Sequence, residues 1–224
     1  MTEKLQRRSP VKDVLEELHP RWGQVQGMSV ALFFQSSKPE GITRTKLALC
    51  DLSCLPRASF KGPEAVSWLE GLGIAVPETI YQYSDWSDGG LIIRTDSQEV
   101  LLEDGPEGHG VAHVTEQYGP ARSGVYRVER QEAAFLLCGA KANDLLLETC
   151  GYDFKRSRDR LVMTRVAGVS CAVLPIEFAD IPAFRLWLDC SYGVYLWEAL
   201  YEIVRDHGGG AVGMNCIYPE LVGS

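Results

Sequence analysis

The sequence predicts an α+β fold of two tandem βαββ (ferredoxin-like) repeats, and three observations predict it. First, Phe60-Lys-Gly62-Pro-Glu-Ala65-Val-Ser-Trp-Leu69 aligns with Leu137-Cys-Gly139-Ala-Lys-Ala142-Asn-Asp-Leu-Leu146, with the Gly, Ala and Leu pairs each 77 positions apart. In both copies a strand-like run ends at glycine, a short amphipathic helix follows, and strand-like pairs come next. Glycine permits a tight strand-to-helix turn, and the small alanine lets the helix lie close to a sheet. Second, the hydrophobic period switches near the C-terminus. Phe184, Leu186 and Leu188 alternate with Arg185, Trp187 and Asp189, as in a strand, and Tyr192, Tyr195, Leu196, Ala199, Leu200, Ile203 and Val204 then recur at helical spacing. Third, Asp104 to Ser123 is dense in glycine and proline and separates the two copies.

Taken in order, Ser9-Pro10 before Val11, Val14, Leu15 and Leu18 reads as a capped helix start, ended by His19-Pro20. Val25 to Phe34 is β-rich, and Ser36 to Thr43, with Pro39 and Gly41, reads as a loop. Leu47 to Leu52 and Arg57 to Phe60 are strands around Pro56, and Gly62-Pro63 opens a helix closed by Gly71-Leu-Gly73. Thr79 to Tyr83 and Leu91 to Thr95 are strands, and Asp96-Ser-Gln98 turns the latter into Glu99 to Glu103. Val125 to Glu129 and Ala133 to Cys138 are strands, Gly139 to Thr149 a helix, and Leu161 to Phe178 is long enough for two strands around Gly168. In the last helix Ser191 is placed to cap the start, and Gly208-Gly-Gly210 ends it. The resulting division is an N-terminal arm and helix (1–23), a first α+β repeat (24–104), a linker (105–123), a second repeat (124–210) and a tail (211–224).

Net charge is -8, from 22 basic and 30 acidic residues. That balance argues against a nucleic-acid or anionic-membrane surface, because Arg7-Arg8 and Arg156 to Arg160 are the only basic clusters and both are short. No apolar run is long enough to span a bilayer, and Met1 to Pro10 lacks the apolar core of a secretory signal. The seven cysteines have no CxxC spacing and mostly sit among apolar residues, as expected of free buried thiols in a reducing, cytoplasmic setting.

Chemical motifs are sparse. His109-x-x-x-His113 has metal-ligand spacing but needs a helix, against which Gly108 and Gly110 argue. Gly89-Gly90 and Gly208-Gly-Gly210 match no phosphate loop, no GxSxG or HExxH occurs, and Asp51, Asp85 and Asp189 stand singly in turns and strands. No catalytic residue and no metal ligand set is expected, and the residues name no cofactor site. Tyr192, Tyr195, Trp197 and Tyr201 together exceed what one buried helix face needs. Trp197 and Tyr201, four apart with Arg205 beside them, form the candidate partner interface.

At these residues the chain resembles the γ subunit of heterotetrameric sarcosine oxidase, within the folate-binding fold group of the glycine-cleavage aminomethyltransferases. Three stretches carry the likeness: Ser9-Pro10; Asp51-Leu-Ser53-x-x-Pro56-Arg57-x-x-x-Lys61-Gly62-Pro63-x-Ala65; and Phe184-Arg-Leu-x-Leu188-x-x-Ser191-x-x-x-Tyr195-Leu196-Trp197, running on to Arg205-Asp206-His207-Gly208. The resemblance implies a chain that binds no redox cofactor alone. It implies partner α, β and δ subunits that hold FAD, FMN, NAD, tetrahydrofolate and zinc while a methyl carbon passes to tetrahydrofolate. Two rivals stand beside it. One is a free-standing folate-dependent aminomethyltransferase. The other is a folate-binding iron–sulfur or tRNA-modification factor, whose Lys-Gly-Cys-aromatic-x-Gly-Gln-Glu run is absent here because Lys61-Gly62 is followed by Pro63.

Overall fold

The computed structural model describes residues 7–35, 38–119, 122–156, 159–178 and 180–223. Its first elements are α1 (Lys12–Glu16), β1 (Pro20–Val25), β2 (Met28–Phe34), α2 (Glu40–Lys46), β3 (Ala48–Asp51), β4 (Arg57–Lys61), α3 (Ala65–Gly71), β5 (Tyr83–Trp86), β6 (Gly90–Asp96) and β7 (Glu99–Glu103). There follow α4 (Gly110–Tyr118), β8 (Tyr126–Glu129), β9 (Ala133–Cys138), α5 (Ala142–Thr149), β10 (Val162–Val166), β11 (Val169–Phe178), β12 (Ile181–Leu188), α6 (Gly193–Asp206), β13 (Gly210–Ala211) and α7 (Met214–Ile217).

Two compact units result, and they interleave along the chain. The first comprises Met1–Cys54, Glu132–Arg158 and Val162–Ser224; the second comprises Leu55–Gln131 and Asp159–Leu161. In the first unit a six-stranded sheet runs β10-β11-β12-β9-β3-β13, beside the β1-β2 hairpin. Ala133 to Cys138 of β9 are all buried, which explains their unbroken apolar run in place of strand alternation. Leu49, Phe135, Leu137, Leu186 and Leu188 form a core with Leu145 and Leu146 of α5 and with Leu196, Trp197, Leu200 and Val204 of α6. The second unit has the five-stranded order β5-β6-β7-β4-β8. Its core gathers Phe60, Trp68 and Tyr118, with ring centroids 5.0 to 5.9 Å apart, over Ile92, Val100 and Leu102.

The 77-residue offset has a backbone basis. Gly62 and Gly139 both adopt positive φ, 127° and 121°. Two residues on, the Glu64 amide donates to the Gly124 carbonyl at 3.0 Å, and the Lys141 amide donates to the Lys46 carbonyl at 3.1 Å. A Cβ on Gly62 would lie 2.3 Å from that Gly124 oxygen, and one on Gly139 2.6 Å from the Lys46 carbonyl, so each position is closed to a side chain twice over. The carbonyl in each case lies two residues before a strand, β8 or β3. Those two strands are exchanged: β3 pairs antiparallel with β9, and β8 pairs antiparallel with β4.

This exchange corrects the expected division into consecutive halves at 24–104 and 124–210, because β3 of the first half pairs into the sheet of the second and β8 of the second half pairs into the sheet of the first. Three local expectations change as well. The stretch 105–123, expected as a linker, contains helix α4. Gly110 does not break it; it seats the helix against Trp86, whose ring would lie 2.4 Å from a Cβ there. Both oxygens of Asp104 accept from the Val111 amide at 3.1 Å and supply the cap. The loop expected at Ser36 to Thr43 gives way to α2, which begins at Glu40 directly after Pro39, while Ser36 and Ser37 lie outside the described residues. The strand expected at Thr79 to Tyr83 starts only at Tyr83.

Candidate functional site

Helix α6 starts at Gly193 without the expected Ser191 cap: Ser191 lies in the 3-10 turn Cys190–Tyr192 ahead of it, a turn capped by Asp189, whose Oδ1 accepts from the Ser191 amide at 2.9 Å and from the Ser191 hydroxyl at 2.6 Å. These bonds hold the Asp189 carboxyl below its ordinary pKa. At the far end the Gly208 amide donates to Arg205 O and the Gly209 amide to Val204 O, with Gly208 at φ 71°, a Schellman stop that requires glycine.

Between these ends the structure overturns part of the expected interface. Trp197 is 0% exposed; it packs edge-on against Phe135 of β9 at 5.4 Å and belongs to the core. Tyr201 is half-buried and stacks on Trp197 at 6.3 Å, and Arg205 lies over the Tyr201 ring at 6.0 Å. Only Arg205 of the three is exposed. The physical reason is the phase of the stripe. Gly193, Leu196, Trp197, Leu200 and Val204 are the buried positions, so the inward face is turned from the one read through Tyr192 and Tyr195. Those two tyrosines, 55% and 56% exposed, and Val194, 40% exposed, form the apolar surface of the helix. Leu196, Leu200 and Val204 alone define the inward direction, and Trp197 is adjacent to them on it, while the two tyrosines, apolar in body but able to face water, lie outside it.

The buried polar groups serve the fold. Arg57 Nη1 meets Glu103 Oε2 at 3.2 Å, both side chains at most 1% exposed, inside the second unit. Burial raises the neighbouring Asp104 carboxyl, opposed by the amides it accepts from. In the first unit Asp51 accepts from the hydroxyls of Ser9 and Ser53, each at 2.6 Å, and Arg185 donates to the Tyr218 hydroxyl at 2.6 Å. Five of the seven free cysteines are buried; burial pushes the Cys138 thiol up to about 12, so it is a protonated, unreactive core group at neutral pH. His109 and His113 do share a helical end, but among the described residues no three His, Cys, Asp or Glu side chains are placed to hold a metal ion. Among those residues, too, no helix is long and apolar enough to cross a membrane.

Cavities in the first unit include two formed by described residues. One, of about 440 Å³, is bordered by Phe33, Phe34, Glu40, Arg44, Asn215 and Cys216; the other, of about 310 Å³, by Leu18, Lys38, Thr43, Tyr201 and the Gly208–Ala211 strip. Glu40 is the acid bordering the first of these, and its Oε1 accepts from the amides of Phe34 and Gly213.

An α+β chain with exchanged opening strands, a paired strand–Gly–helix framework and acids committed to the fold defines the class. Residues 11–218 match the family described as "GCVT N-terminal domain". The chain belongs to that family, whose aminomethyltransferase-type fold it shares. Among curated relatives it is 20% identical to an aminomethyltransferase of Thermoanaerobacter sp. (strain X514) and 21% identical to one of Thermoanaerobacter pseudethanolicus, in each case over 93% of this chain and 61% of the relative. Among solved structures it superposes on glycine cleavage system aminomethyltransferase T from Bartonella henselae with a TM-score of 0.75 at 16% identity, over 95% of this chain and 61% of that one. It also superposes on a chain of the heterotetrameric sarcosine oxidase from Corynebacterium sp. U-96, with a TM-score of 0.65 at 12% identity, over 92% of this chain and 98% of that one. The chain thus spans about three-fifths of the aminomethyltransferases it matches.

Proposed function

We propose that the chain is a γ-like subunit, without redox chemistry of its own, of a heteromeric flavin-dependent oxidase or dehydrogenase of sarcosine or another N-methyl amine. The observation that carries this reading is the superposition on a chain of the heterotetrameric sarcosine oxidase over 98% of that chain's length, with a TM-score of 0.65. In this reading the α, β and δ partners hold FAD, FMN, NAD, tetrahydrofolate and zinc, the assembly works in the cytoplasm, and this chain has a structural role. Two features of the chain support that role. Its buried acids and bases are engaged within their own units, and Tyr192, Val194 and Tyr195 offer an exposed apolar strip on a rigid helix.

A free-standing folate-dependent aminomethyltransferase, or a folate-binding factor, is the second reading, favoured by the family match and by the higher TM-score of the Bartonella structure. Equilibrium dialysis of the purified chain against tetrahydrofolate separates the two. The subunit reading expects no saturable binding by the isolated chain. Affinity on the order of micromolar would favour the transferase class and overturn the first reading.

A further inference from the structure

Helix α2 carries Glu40 and Arg44 one turn apart, the spacing at which an acid and a base on a helix ordinarily pair. Each is committed elsewhere. Glu40 Oε1 accepts from the Phe34 amide at 2.8 Å and the Gly213 amide at 3.0 Å, and Arg44 Nη1 donates to the Cys216 carbonyl at 2.8 Å. The Arg44 guanidinium also lies over the Phe178 ring at 5.5 Å. It is therefore oriented by a carbonyl and a ring, and among the described residues no carboxylate forms an ion pair with it. A guanidinium held by a carbonyl and a ring, and in no direct ion pair among the described residues, is an anion anchor at the wall of a cavity of about 440 Å³.

The rest of the lining narrows the anion. Phe33 and Phe34 supply an apolar wall for a flat body. Glu40 supplies the opposing charge, which disfavours a dianion such as phosphate. The Cys216 thiol, pushed up to about 11 by burial, stays neutral and adds none. We propose that this cavity binds a small, flat monocarboxylate, anchored by Arg44 and packed on Phe33 and Phe34. The site is separate from the assembly reading and stands or falls without it.

The test is a titration of benzoate into the full-length chain, followed by amide chemical shifts, with benzamide and inorganic phosphate as parallel probes. Benzoate is expected to bind saturably and to move the amides of Phe34, Gly213 and Asn215, while benzamide does not bind. Arg44→Gln should weaken benzoate about tenfold, the scale of one lost charge-assisted pair, and Arg44→Lys should weaken it less. Glu40→Gln keeps the acceptor for both amides and removes the like charge, so it should bind benzoate more tightly. Absence of saturable benzoate binding overturns the proposal, as do shifts confined to other residues, equal binding by both Arg44 variants and the wild type, or a preference for phosphate over benzoate.

Discussion

Trp197→Ala is expected to lower folding stability by about 3–5 kcal/mol, the range for deleting a fully buried tryptophan. The indole is 0% exposed, meets Phe135 edge-on and Tyr201 face-on, and sits between the sheet and α6, so the cavity left behind has rigid walls on two sides. Urea titration of the purified variant measures the loss directly. Two companion variants make the result specific. Trp197→Phe should cost only about 1–2 kcal/mol, because it loses volume but also removes an indole N–H that has no acceptor among the described residues. Tyr195→Ala, on the exposed side of the same helix, should change stability by less than about 1 kcal/mol, losing one hydroxyl contact to the Ala167 carbonyl. If Trp197→Ala is as mild as Tyr195→Ala, the placement of Trp197 in the core is wrong.

The second large effect belongs to the other unit. Glu103→Gln and Arg57→Met should each cost about 3–5 kcal/mol, because each leaves one charge buried without its partner. At most 1% exposure on either side keeps the survivor away from bulk water. The double variant Arg57→Met/Glu103→Leu removes both charges together and should recover most of the loss, since matched apolar replacements of buried ion pairs are often neutral or stabilising. A double-mutant cycle by urea titration checks this. Additive losses would show that the two groups act independently.

What the residues revealed and what they hid follows from where the information lies. The strand–Gly–helix units were legible because Gly62 and Gly139 answer a local demand, a positive φ beside a neighbouring carbonyl, that only glycine meets at both places. The exchange of β3 and β8 was not, since strand pairing is decided by tertiary packing and leaves no mark on local period. Helix α4 was hidden because its glycines were read as breakers, while the signal that mattered was Asp104, seven residues before the amide it accepts from. At α6 the hydrophobic period was present and only its phase was misread. A tyrosine counts as apolar in a helical stripe yet can face water, so Tyr192 and Tyr195 pulled the inward face away from Trp197. The pairs Glu40–amide and Arg44–carbonyl, which shape the cavity, join residues about 170 positions apart and carry no sequence signal.

The central claim is that this chain works inside a larger flavin-bearing assembly. It is tested most directly by tagging the chain in its own cell, purifying it natively and measuring the mass and visible absorbance of what elutes. The account predicts a complex several times the 24.8 kDa of the chain, carrying flavin, and weakened when Tyr192 and Tyr195 are both replaced by serine. A colourless species of the mass of one chain, unchanged by those replacements, would contradict it.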